Sequence, residues 1–465
     1  MTSTQEFAAV VLAAGKGTRM RSAQPKVLHP VAGRPMIGHV LAAVQALGPA
    51  RLAVVVAPGM QAVTDAVAPV RTAVQIEARG TADAVKAALD ELFGFAGTVM
   101  VLFGDTPLIS GDTLARMLAA RAAAGDPAVV VLGFRPADPA RYGRLILGAG
   151  GDLERIVEAA DLSGAEAATD LCNSGVMAID GRVLARYLAA IGNANAKGEY
   201  YLTDIVAVAR ADGRHVAVVE ADAVETMGVD SRAGLARAEA AMQARLRAAA
   251  MEAGVTLVDP TSVHLSFDTR LAPDVTVEPQ VWFGPGVSVE AGAQIKGFSH
   301  IEGAHVGAGA TVGPFARLRP GAALGAKAKI GNFVEVKSAA IGAGAKISHL
   351  SYVGDAEIGA DANLGAGTIT CNYDGYLKHR TVVGRGAFVG SNTALVAPVT
   401  VGEGAIVGAG STITRDVPAD ALAVARGRQT EIEQYAPRFR AERAARKAQG
   451  QAHGQAGGSG GGKEG

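Results

Sequence analysis

In the C-terminal half of this 465-residue chain, aliphatic residues return at every sixth position. Val306, Val312, Leu318, Leu324, Ile330 and Val336 form one run; Val383, Val389, Leu395, Val401, Val407 and Ile413 form a second. Glycine follows many of them, as in Val306-Gly307, Val312-Gly313, Ile330-Gly331 and Val407-Gly408. An α-helix needs a period of about 3.6 and tolerates little glycine. A period of six matches one short strand plus one turn, and three such units close a coil of a parallel β-helix. The aliphatic residue then points inward and stacks on its counterpart one coil away, while glycine relieves the corner. Between the two runs the register slips, and residues 371–380 read as an inserted loop.

Up to about Asp230 the rhythm differs. Short apolar runs at 7–14, 52–57, 98–103 and 128–134 read as strands, alternating with helical patterns at 36–47, 82–92 and 113–124. That alternation predicts an open α/β sheet whose ligand crevice lies at the carboxyl ends of the strands. Residues 231–253, rich in Ala, Arg and Glu, read as one linking helix. The expected organisation is therefore a nucleotide-handling domain at 1–230, the linker at 231–253, a β-helix at 254–437 and a tail at 438–465. Within the tail, 438–449 reads as a basic helix, and the Gly-, Gln- and Ser-rich stretch from 450 as disordered.

The first strand runs into Gly15-Lys16-Gly17, where glycines allow a tight turn with backbone N–H groups aimed at an anion. Lys16, Arg19 and Lys26 place cations beside that turn, as a triphosphate requires. The spacing is not that of a P-loop ATPase. Asp105, in Phe103-Gly104-Asp105 after another apolar strand, either holds Mg²⁺ through its carboxylate or caps the next turn. In the β-helix, His349 falls where the register is broken. It is either a base titrating near neutrality or a corner histidine bonded for structure. Arg317, Arg319 and Lys337 supply cations nearby.

Basic and acidic residues number 44 each, so no overall field draws the chain to nucleic acid. No apolar stretch is long enough for membrane insertion, and the start lacks the pattern of a signal peptide. Two distant cysteines, Cys172 and Cys371, suit a reducing compartment, so a cytoplasmic setting is expected.

The run from Val11 through Met20 with Pro25-Lys26-Val27-Leu28-His29 resembles the signature of sugar-nucleotide pyrophosphorylases. Along nearly the whole chain, further markers recur in order. They include Gln75 with Gly80-Thr81, Tyr142-Gly143-Arg144, Ile156-Val157-Glu158, Asn173-Ser174-Gly175, residues 199–204 (Glu-Tyr-Tyr-Leu-Thr-Asp), Gly228-Val229-Asp230 and the stretch 363–375. Together they are similar to the family of bacterial bifunctional UDP-N-acetylglucosamine pyrophosphorylase/glucosamine-1-phosphate N-acetyltransferases. The resemblance implies an N-terminal Rossmann-like nucleotidyltransferase domain and a C-terminal left-handed parallel β-helix of hexapeptide repeats, assembled as a homotrimer. It implies Mg²⁺ as cofactor, UTP and acetyl-CoA as substrates, and a product for peptidoglycan and lipopolysaccharide synthesis.

By the same resemblance Leu12, Ala13, Ala14 and Gly15 hold the nucleotide with Phe103 and Gly104, while Gln75, Gly80 and Thr81 read uracil. Arg19 and Lys26 stabilise phosphates, Gly143, Glu158 and Asn173 contact the sugar, and Asp105 and Asp230 bind the metal. In the β-helix, Arg319, Lys337, Tyr352 and Asn363 take glucosamine 1-phosphate, and His349 accepts the proton. Ala366, Asn372, Tyr373, Ser391, Ala409 and Arg426 take acetyl-CoA. The chain departs from the family pattern at Asp230 for a usual Asn, Asp83 for a usual His, and Ala159-Ala160 for a longer polar pair. Two other readings share the layout: a pyrophosphorylase with an idle β-helix, and a scaffold like some translation-initiation exchange-factor subunits. Retention of His349 with Arg319, Lys337 and Tyr352 argues against the first, and retention of Lys26 and Asp105 against the second.

Overall fold

The computed structural model describes residues 6–139, 142–159, 161–195 and 198–456. Ala160 and residues 457–465 of the tail lie outside them.

The N-terminal sheet has the order Val216–Ala221, Val129–Phe134, Cys172–Asp180, Thr98–Phe103, Phe7–Leu12, Arg51–Val56, Arg71–Val74. Its central strands read as unbroken apolar runs because helices cover both faces. Ala8, Val10, Val101 and Val131 face one core layer; Ala9, Val11, Leu102 and Val130 face the other. Cys172–Asp180 is antiparallel to both its neighbours, so the sheet is mixed. A hairpin of Arg144–Leu147 and Leu153–Val157 hangs from its start. The helix expected over 82–92 is shorter, Thr81–Ala87, followed by a 3₁₀ turn at Asp90–Leu92.

Ser231 caps the linking helix Arg232–Glu252 by accepting a hydrogen bond from the Gly234 N–H. Its Glu239 accepts the Ala32 N–H (2.7 Å), and the Ala32 carbonyl accepts the Phe267 N–H (2.8 Å). Gln243 clamps the Leu265 backbone through both its N–H and its carbonyl group (2.6 and 2.9 Å). Leu246 and Ala250 of the same helix pack on the open end of the β-helix core.

The β-helix rises by parallel pairing between coils. Thr311 pairs with Lys329, and Lys329 with Lys346, steps of 18 and 17 residues. The inward column includes Val306, Val312, Leu318, Leu324, Ile330 and Val336, all essentially sealed from water. Each such side chain contributes roughly 1.5–3 kcal/mol on burial. One face is a sheet of ten short strands; the other two are joined where Glu335–Ile341 and Tyr352–Ile358 bend across a corner. Asn363 pairs with Phe388, a step of 25, because the segment around 371–380 is expelled as a loop closed by a Tyr373–Lys378 bridge. A final helix spans Tyr435–Ala456, so residues 450–456, expected from composition to lack structure, continue it.

Candidate active sites

At the carboxyl ends of the central strands lies a cavity of about 480 Å³. Leu12, Ala13, Ala14 and Gly15 form one wall; Phe103, Asp105 and Lys26 form another. The loop can close this way because Gly17 has φ +59°, and a Cβ there would sit 2.6 Å from the Cβ of Lys26. Gln75, Gly80 and Thr81 complete the far side. Gly80 has φ +118° with its α-carbon against the Tyr200 backbone, and the Tyr200 carbonyl accepts the Ala82 N–H (3.0 Å).

The charged groups are paired. Lys26 Nζ meets Asp105, both mostly buried, and Arg19 lies 2.6 Å from Asp230. The Val229 N–H donates to the Asp105 carbonyl (2.9 Å), which brings the two carboxylate-bearing segments side by side. Two carboxylates give hard oxygen ligands suited to Mg²⁺, with the remaining positions left to phosphate and water. Among the described residues no group of three or more His, Cys, Asp or Glu forms a metal cluster.

Gly143, Glu158 and Asn173 do not line this cavity but gather beside it. The Asn173 N–H donates to Gly143 (2.8 Å), and Thr203 donates to Glu158 (3.4 Å). Gly175, bonded through its N–H to the Asn173 side chain (2.9 Å), packs on the ring of Phe103 and so joins this cluster to the cavity. Glu199 and Tyr201 also line the cavity and had no assigned role in sequence; Tyr200 instead lies under the Lys86 ammonium. A larger cavity of about 790 Å³ opens at the opposite strand ends. There Arg71 pairs with Glu91, and Arg51 donates to backbone carbonyls.

In the β-helix, His349 is exposed and its Nδ1 lies 2.6 Å from the Asn332 side-chain oxygen, its neighbour one coil away. An oxygen acceptor there places the proton on Nδ1 and leaves the Nε2 lone pair free. Arg319 pairs with Glu335 (2.9 Å), and Lys337 lies beside Lys378 from the inserted loop. The Lys378 ammonium holds Lys337 below the usual lysine range. Lys378 was missed in the sequence because only the loop's return over the coil brings it there. Tyr352 accepts a hydrogen bond from Asn372 (3.5 Å), which also bonds Asp355. Asn363 sits on the ten-stranded face, one coil beyond Lys346.

A second column climbs one corner. The Ala366 carbonyl accepts the Asn392 N–H (2.7 Å), the Ser391 carbonyl accepts the Gly410 N–H (2.8 Å), and Arg426 donates to the Ala409 carbonyl (2.7 Å). Tyr373 lies apart on the exposed loop, bonded to the Gly375 carbonyl.

The MobA-like NTP transferase domain family matches residues 9–169, and the bacterial transferase hexapeptide family (six repeats) matches residues 380–415. The bifunctional protein GlmU of Rhodospirillum rubrum is 61% identical over 95% of this chain and 98% of its own. Bifunctional GlmU proteins of Paramagnetospirillum magneticum and Acidiphilium cryptum are each 58% identical, over 96% and 91% of this chain and 99% and 96% of theirs.

Proposed function

The chain belongs to the GlmU family of bifunctional proteins, and on that premise we propose how its residues divide two reactions. The protein acetylates glucosamine 1-phosphate, then uridylylates the N-acetylated product, giving UDP-N-acetylglucosamine for cell-wall synthesis. The observation that carries the assignment is the separation of two reactive clusters: Lys26–Asp105 at the sheet crevice and Asn332–His349 on the β-helix.

At the crevice, uridylyl transfer needs a sugar phosphate oxygen in line with the α-phosphorus of UTP. Lys26 and Arg19 pair with carboxylates now and turn to phosphate oxygens when substrate enters. Asp105 and Asp230 would hold Mg²⁺, and the ion would supply positive charge to offset that on the phosphates. Leu12–Gly15 backbone groups position the nucleotide, and the Gly143–Glu158–Asn173 cluster receives the sugar.

On the β-helix, Arg319, Lys337 and Lys378 attract the phosphate of glucosamine 1-phosphate. Tyr352 and Asn363 fix the sugar. His349, oriented by Asn332, takes the ammonium proton through Nε2; the freed nitrogen attacks the thioester carbonyl, the C–S bond breaks, and coenzyme A leaves as the thiol with that proton. Acetyl-CoA lies along Ala366, Ser391, Ala409 and Arg426, with Asn372 and Tyr373 from the loop. We assign a homotrimer and a left-handed winding. Support for assembly is the exposed stack of Phe298, Phe315 and Phe333, with ring centroids 4.9 and 5.2 Å apart. Both thiols are free, which supports a cytoplasmic setting. No helix among the described residues is long and apolar enough to cross a membrane.

The test follows coenzyme A and pyrophosphate release separately from glucosamine 1-phosphate, acetyl-CoA, UTP and Mg²⁺. Both should appear, coenzyme A also without UTP, and EDTA should stop only pyrophosphate. Pyrophosphate from pre-acetylated sugar with no coenzyme A would overturn the β-helix assignment. Light scattering of the same sample should give three chains.

A further inference from the structure

Gln75 forms the partition between the crevice cavity and an outer groove in which Asp83 sits. Its side-chain Nε2 donates to the Gly80 carbonyl (3.1 Å) and to the Asp83 carboxylate (3.0 Å). Both partners can only accept, so they fix which end of the amide faces them. Each of the two amide hydrogens is consumed. The Oε1 atom accepts no hydrogen bond from the described residues and is not among the buried atoms lacking a partner. With both amide hydrogens engaged, one by Gly80 of the cavity wall and one by Asp83 of the groove, Oε1 is the hydrogen-bonding group Gln75 has left for a ligand.

We propose that Asp83 is a positioning residue that locks the Gln75 amide with its acceptor toward the nucleotide base, so that the site selects uracil over cytosine. This rests on the assignment of the crevice to UTP. Uracil presents an N3–H donor where cytosine presents a bare N3 acceptor. A fixed amide oxygen bonds the first and repels the second. Without Asp83 only the neutral Gly80 carbonyl holds the amide, so turning it to present its NH₂ group to cytosine costs less. A carboxylate suits this task because it cannot donate, and a charged acceptor holds an amide N–H about twice as firmly as a neutral one.

The experiment measures kcat/KM for UTP and for CTP with N-acetylglucosamine 1-phosphate in the wild type, Asp83→Leu and Asp83→Asn. A site built around a hydrogen bond discriminates strongly against the analogue that cannot form it. The UTP/CTP ratio should therefore fall at least about tenfold in Asp83→Leu, with CTP use holding or rising while UTP use drops. Asp83→Asn, whose oxygen can still accept from Gln75, should keep part of the ratio. General damage to the fold would lower both nucleotides together, and that result, or an unchanged ratio, overturns the proposal. So does a wild type that uses CTP as readily as UTP. Asp83→Ala gives the same comparison if the leucine variant does not fold. No pyrophosphate from UTP in the wild type would instead overturn the assignment of the crevice, and this inference with it.

Discussion

Replacing Gly331 by alanine should silence acetyl transfer and leave uridylyl transfer running. A Cβ at residue 331 would lie 2.6 Å from the carbonyl carbon of Ser348, and nearer still to its oxygen. Ordinary contact begins at 3.4 Å, so the two coils must part by about 0.8 Å (3.4 less 2.6) or more. Neither neighbour is a flexible side chain that could swing away; both are backbone within a paired register. The next residues along are Asn332 and His349, partners across the same two coils. A misplacement of about 1 Å commonly costs about 10²-fold in rate, which sets the expected loss of coenzyme A release. Overpacking of this kind costs about 1–3 kcal/mol of stability, which a long, regular core should absorb. Pyrophosphate release from pre-acetylated sugar serves as the internal control, because the crevice lies in the other domain. Gly192→Ala, with nothing within 4 Å of its added methyl, should change neither activity. Acetyl transfer close to wild type in folded Gly331→Ala would refute the placement of His349 and Asn332 as one reactive unit.

Three further outcomes are expected. Gly80→Ala should give the mirror image, losing pyrophosphate but not coenzyme A release, since its Cβ would lie 2.9 Å from the Tyr200 carbonyl carbon at a left-handed φ. Lys378→Met should raise the KM for glucosamine 1-phosphate. Because the Lys378 ammonium depresses Lys337, phosphate binding in the wild type is full below that depressed pKa and fades as pH rises through it. In the variant, a pH profile of KM should show the fading at higher pH. Asp180→Asn should cost about 3–5 kcal/mol in chemical denaturation by leaving the buried Arg121 undercompensated. Burial alone would raise the Asp180 pKa, but hydrogen bonds from Arg182 and the charge of Arg121 leave it lowered overall. Its stabilisation is therefore present above the ordinary aspartate range near about 4 and disappears as pH falls through the folded value. The variant should lose that acid-side slope; an unchanged slope would place the titration elsewhere.

The β-helix was legible because each rung spends one inward residue on the core, so Val306 through Val336 mark the coils directly in one dimension. The column slips where Val336 is followed by Ile341 after five residues, because that coil turns its corner within one continuous strand. Antiparallel Cys172–Asp180 was not legible, since strand direction depends on where the intervening hairpin leaves the chain. The cavity wall from Leu12 to Gly15 could be read because one segment carries it. Asn332 could not be read as the partner of His349, because the pairing depends on a 17-residue coil rather than on any local pattern. Lys378 escaped for a similar reason, since it acts through a loop whose path the composition does not encode. Asp83 stood out only as a departure from the family pattern, because its bond to Gln75 joins a helix to a segment eight residues back.

The coil step of 17 or 18 residues works like a reading frame in space. The first and last coils take steps of 20 and 16, but an insertion much longer than the frame cannot be wound in without moving inward side chains off the core. It must be ejected at a corner, as the excursion between Asn363 and Phe388 has been. New loops can therefore be acquired, lengthened and recruited to ligands while the coils above and below keep their stacking. A fold this strict about its core leaves its corners open to evolutionary trial, and the residue beside Lys337 came to its place from one of them.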